Sequence, residues 1–145
     1  MQNNKSISDA VSNIVERVKL QMIPRGFQAA QQLCNATQIV LSGSRSGRVY
    51  RIPNTGQSYT ASAPGESPAV RTGMFRASFQ PYVMTENGEG LTVHSQAKSN
   101  LSVGGYVLGT LLEDGTERMA SRPYTEKIKQ MARPQIEQIF RAPYK

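Results

Sequence analysis

The twelve residues from Ser62 to Gly73 constrain the fold more than any other stretch, because no helix or strand can run through them. Pro64 and Pro68 remove two backbone donors and fix their own φ, while Gly65 and Gly73 open angles closed to other residues. A loop of this length inside a small domain is functional or disordered, and Ala69 and Val70 in its middle argue that it lies against something. We expect an ordered, docked loop. A hydroxyl-rich segment containing Tyr59 enters it, and it leads into a strand over 75–84 in which Phe75, Ala77, Phe79 and Val83 alternate with polar residues. Pro81 marks that strand as an edge or a bulge.

Helical patterns flank this middle region. Ser6 as an N-cap, with Asp9 three residues on, predicts a helix start. Ile7, Val11, Ile14, Val15, Val18 and Met22 then recur at steps of three and four, forming an apolar face that needs a partner. Pro24 and Gly26 interrupt the pattern, which predicts a kink or an end near Met22. A second piece carries Phe27, Ala30, Leu33, Cys34, Thr37, Val40 and Leu41 to a stop at Ser42, Gly43 and Ser44, so the helical region over 6–42 reads as two pieces. At the other end, Ser121, Arg122 and Pro123 predict the start of a helix over 122–141 that Pro134 should kink or split.

Between them, 47–112 reads as sheet and loops. Val49 to Ile52 and Gln57 to Ser62 are two strands around the turn Pro53 to Gly56. The turn Glu86 to Gly90, with Leu91, Val93, Ser95 and Ala97 returning after it, gives the clearest hairpin. His94 falls on its polar face and reads as a surface residue. Residues 98–105 read as a loop, and Tyr106 to Leu112 fit either a strand or a short buried helix. The expected architecture is α+β in a single domain over 1–145, with N-terminal helical segments, a small mostly antiparallel sheet and a C-terminal helix.

The formal charge of +7 admits nucleic acid or an acidic partner, and its distribution is uneven. Residues 40–80 and 118–145 carry +4 and +5, whereas residues 81–117 carry −4. Segments of opposite sign can pair within a subunit or between neighbouring copies. Arg45, Arg48 and Arg51 fit either a solvated basic edge that resists sheet-to-sheet aggregation or a phosphate-facing patch with Tyr50 available for stacking. The modest apolar fraction of 38% with no Trp suggests that a partner supplies part of the stability. A single Cys34 on an apolar stripe reads as a small core residue. We find no glycine-rich phosphate cradle, no Cys/His cluster and no pair for His94 to serve. Glu113, Asp114 and Glu117 flank a turn glycine, as hydrated turn residues do. The expectation is a protein that is not an enzyme and takes no cofactor or metal. No secretory signal or membrane-spanning stretch is visible.

Two blocks carry a resemblance. Gly47, Arg48, Val49 and Tyr50, followed by Ala61 to Glu66, Pro68 to Val70, Thr72 and Gly73, resemble the head-tail joining or tail-completion (minor tail, minor capsid) proteins of the tailed-phage neck. So do Leu112 to Thr116, Met119, Ala120 and Arg122 to Tyr124, and the blocks occur in the family's order. Asp114 stands where the family has an aromatic, Arg71 where an acid is common and Tyr124 where Phe is usual; Pro24 is a further departure.

The resemblance implies a non-enzymatic ring subunit, usually a hexamer, assembled in the host cytoplasm and resident in the virion. Its partners would be copies of itself, the connector, adaptor or stopper proteins of the head and the tail-tube protein. Genomic DNA would pass through the lumen without sequence-specific contacts. The interface candidates are Pro64, Gly65, Glu66, Pro68, Thr72 and Gly73 in the loop, and Glu113, Gly115, Thr116, Arg122 and Pro123 in the turn. A purely internal role, with Glu113 pairing with Arg122, is the alternative for the same residues. A small basic nucleic-acid-binding protein is the alternative for the whole chain.

Overall fold

The computed structural model describes residues 3–145, with side chains from Ser6 onward. The fold is α+β, and one long helix serves as its spine. Helix α1 runs unbroken through Asn3–Ser42, about 60 Å at 1.5 Å per residue. The expected division into two pieces is therefore corrected, and Ser6 is an interior residue rather than a cap. Pro24 cannot donate to the carbonyl of Leu20, but both residues are exposed, so solvent is at hand for the orphaned acceptor. Packing of the residues that follow holds the helix through this point.

That packing uses two adjoining faces of α1. Gly26 forms one of them, against the hairpin of β3 (Gln80–Asn87) and β4 (Leu91–Lys98). A Cβ at Gly26 would lie 2.3 Å from Val93 Cγ1, and Ser95 Oγ donates to the Gly26 carbonyl at 2.6 Å. Only glycine allows that approach. The other face meets α4 (Thr125–Arg141), where Ala36, Leu41, Tyr124, Ile128 and Ala132 form the buried core. Arg25 donates to the carbonyls of Ile139, Ala142 and Pro143 and lies over the Tyr144 ring at 3.9 Å. It thereby closes the C-terminal end of α4. The two helices are antiparallel, and the shorter α4 ends beside Arg25. Cys34 is buried, and burial raises its pKa.

Strands β1 (Val49–Arg51) and β2 (Ser58–Thr60) pair as expected, with Asn54 and Gly56 at positive φ in the connecting loop. The predicted strand over 75–84 begins only at Gln80. Met74–Ala77 is instead a short helix, α2, preceded by Gly73 at φ 80°. Phe75 and Phe79 are four residues apart, which suits a helical turn, and their rings meet edge to face at 5.2 Å. Both rings also stand edge-on to Tyr124, at 5.7 and 6.4 Å, and this tertiary contact decides against the alternating pattern.

The predicted loop over 98–105 is also corrected: β4 continues through Lys98, and β5 (Ser102–Val103) pairs with β6 (Tyr106–Val107). Gly104 and Gly105, both at positive φ, make the two-residue turn. Tyr106 to Leu112 turns out to be two strand residues followed by helix α3 (Leu108–Asp114). Among the described residues every strand pair is antiparallel, in three separate two-stranded ribbons.

Candidate interaction surface

The central loop lies on the segment that joins α3 to α4. Gly65 N donates to the Ser121 carbonyl at 3.3 Å, and Ser67 Oγ donates to the Pro123 carbonyl at 3.1 Å. Lys127 Nζ reaches the Gly65 carbonyl and Ser67 Oγ. Arg45 ties the loop to the end of α1 by donating to the carbonyls of Val40, Ser44 and Pro68. Two sequence-distant blocks thus form one surface.

Glu66 holds the loop's entrance. Its carboxylate accepts from Ser46 Oγ, from Ala63 N at 2.8 Å and from Ser46 N at 3.1 Å. These bonds, the Ser46 hydroxyl foremost, bring its pKa down to about 2, with nearby Arg45 adding to the effect.

Glu113 does the corresponding work at the turn. Its Oε2 accepts from Tyr124 N at 2.9 Å and Thr125 N at 3.2 Å, capping α4 where the macrodipole is positive. This corrects two expectations. Helix α4 begins at Thr125 rather than at Arg122, and the side chain of Glu113 forms no ion pair with Arg122 among the described residues. The Arg122 backbone N–H donates to the Leu112 carbonyl, while its Nη1 is buried without a hydrogen-bond partner. Burial, with the charge of Glu113, pushes the Tyr124 hydroxyl up to about 12.

The sequence-predicted interface residues therefore separate by direction. Glu66, Pro68, Glu113, Gly115 and Pro123 serve internal contacts. Gly115, at φ 80°, has no room for a Cβ, which would sit 2.8 Å from the Met119 carbonyl oxygen. Pro64, Thr72 and Thr116 face outward, and Gly65 is exposed while its backbone binds Ser121 and Lys127. Gly73 precedes α2, and Thr72 Oγ1 accepts from Met74 N. Ser46, Ser67, Tyr124 and Lys127 join the site without a local signal, since their partners lie 11 to 62 residues away.

The three arginines separate as well. Arg45 is engaged with backbone carbonyls, whereas Arg48 and Arg51 are exposed on the β1–β2 hairpin. Arg48 lies 5.6 Å from the Tyr50 ring centroid, and Tyr50 stacks on Tyr59 at 5.9 Å.

A groove of about 680 Å³ opens between the central loop and the β5–β6 hairpin. Ala69, Met74, Val103 and Leu108 give it apolar walls, and Arg71 and Arg122 also line it. Among the described residues no helix is long and apolar enough to cross a membrane, and no group of three or more His, Cys, Asp or Glu could hold a metal. No family model, curated protein or solved structure matches this chain.

Proposed function

We propose that this protein is a structural subunit of a tailed-phage neck, forming a ring that joins the DNA-filled head to the tail and lets DNA pass. The observation that carries the reading is the convergence of the two motif blocks on one surface through Gly65–Ser121 and Ser67–Pro123 hydrogen bonds. A ring subunit needs loops held rigidly enough to mate with the rings above and below. Glu66, Arg45 and Glu113 supply that rigidity, while Pro64, Thr72 and Thr116 present side chains outward.

The first half of α1 supports the same reading. Ile7, Val11, Ile14 and Val15 form an apolar stripe that is 44–63% exposed in the single chain, a surface suited to a neighbouring subunit. In this proposal the ring has six copies, the family's usual number, and the protein is not an enzyme. The test is its mass in solution, alone and mixed with connector or tail-tube proteins. A discrete ring, free or formed on a partner, is expected. A chain that remains monomeric with both components overturns the proposal.

The Tyr50–Tyr59 stack beside Arg48 and Arg51 favours a second reading, a basic module that binds nucleic acid. It requires DNA affinity that falls steeply with salt and with loss of both arginines. Absence of binding at low salt removes it.

A further inference from the structure

The groove between the central loop and the β5–β6 hairpin has an unbalanced charge. Two arginines, Arg71 and Arg122, line it and no carboxylate does. Glu113, although on the same turn as Arg122, is taken by the α4 amides. Arg122 is partly exposed, with Nη1 buried and unpartnered, and a carboxylate meets a guanidinium in the paired geometry that guanidinium favours. The apolar walls require that this carboxylate arrive beside apolar side chains.

The chain carries such a segment at the tip of the β3–β4 hairpin. Of its eight other acids, four are committed: Glu66 and Glu113 to backbone amides, Glu16 and Glu137 to basic neighbours on their own helices. Residues 84–90 are exposed throughout and contain Glu86 and Glu89. Met84 and Glu86, two apart on β3, share a face and present an apolar group next to a carboxylate. The Glu86 side chain is 65% exposed, with Oε2 3.6 Å from His94 Nε2.

The tip cannot serve its own groove. Both ends of the hairpin adjoin the groove, Gln80 following α2 and Lys98 preceding Leu101. Strands of eight residues carry the tip about 25 Å away. Donor and acceptor surfaces at opposite ends of one hairpin make a head-to-tail contact between copies, the type that closes into rings.

We infer that the tip of one copy, Met84 to Leu91, seats in the groove of the next, placing the Glu86 carboxylate on the Arg122 guanidinium with Arg71 nearby. This rests on the ring reading and supplies the ring's lateral contact.

Two full-length variants test it. In one, Glu86→Gln with Glu89→Gln disables the tip and leaves the groove intact; in the other, Arg122→Gln disables the groove and leaves the tip intact. Isotope-labelled tip variant is mixed with unlabelled groove variant, and amide shifts are followed by NMR to high concentration. The expected result is saturable shifts confined to groove residues such as Ala69, Val103 and Leu108. Affinity should fall about tenfold or more when the unlabelled partner also lacks the tip carboxylates. Arg71→Glu, at an exposed position, replaces Arg122→Gln if that variant does not fold.

Absence of shifts, or equal shifts without the tip carboxylates, overturns the inference, including the case where the apolar stripe of α1 proves to be the occupant. A wild-type ring with no groove shifts rejects this contact and leaves the neck reading standing. Groove shifts in a chain that never assembles, alone or with connector and tail-tube proteins, keep the contact and reject the neck reading.

Discussion

The two halves of α1 carry the same kind of apolar repeat and meet opposite fates. From Gly26 to Leu41 the stripe, exposed Phe27 apart, is covered by α4 and the β3–β4 hairpin, whereas from Ile7 to Leu20 most of the apolar side chains are exposed. Residue size explains part of the contrast. The covered half presents Gly26, Ala29, Ala30, Cys34 and Ala36, whose small side chains admit a hairpin and a helix at close range. Length explains the rest: α4 spans 17 residues against the 40 of α1, so its end at Arg25 leaves the earlier turns of α1 without cover. Periodicity states that a face wants a partner; it does not supply one within the same chain.

The sharpest way to break this comparison is to hollow out the covered half. Leu41 is 2% exposed within the core, and Leu41→Ala is expected to cost about 3 kcal/mol in denaturant unfolding, since buried Leu→Ala changes typically cost 2–5. Gly26→Ala comes next, at about 2 kcal/mol, because its new Cβ forces Val93 and the hairpin away from α1. Thermal unfolding should show this loss, and a smaller partner in Val93→Ala should restore part of it.

Glu113→Ala removes the α4 cap and should cost about 1 kcal/mol, with early amide-exchange loss in the first turn of α4. A smaller effect is expected where the covered half hands over to the loop. The pKa of Glu66 is lowered from 4.5 to about 2, so its bonds contribute fully above the ordinary carboxylate range and are lost as pH falls toward 2. Ser46→Ala should raise that pKa, read from the Glu66 carboxyl shift in an NMR titration, and loop loosening should then begin at higher pH.

The smallest effect belongs to the uncovered half. Ile14→Ala is expected to change the stability of the single chain by less than about 0.5 kcal/mol. A cost near that of Leu41→Ala would show that this stripe is covered in solution, which sedimentation of the same sample would register as assembly.

Local chemistry accounts for much that is legible in advance. Proline and glycine restrict backbone angles by sterics within a residue or two, so the irregular Ser62–Gly73 loop and the β1–β2 turn are readable. Alternation with a turn signal likewise makes the β3–β4 hairpin readable, and the α+β class follows from the arrangement of these periods. By itself, then, the amino-acid order determined which segments can be helix, strand or loop and which faces are apolar.

Tertiary structure decided the rest. Pro24 suggests a helix end because its missing donor is a local fact; the contacts that carry α1 past it, Gly26 on Val93 and Ser95, span about 70 residues. Phe75 and Phe79 fit a strand pattern or a helical turn equally, and Tyr124 selects the helical one. Glu113 next to a glycine looks like a solvated turn until α4 arrives to be capped. Arg122, two residues before Tyr124, reads locally as part of a helix start and becomes a buried, unpaired donor only when the groove forms around it. The physical reason is the same in each case: backbone preferences act over neighbouring residues and are small, whereas burial and hydrogen-bond satisfaction depend on partners that only folding brings within reach.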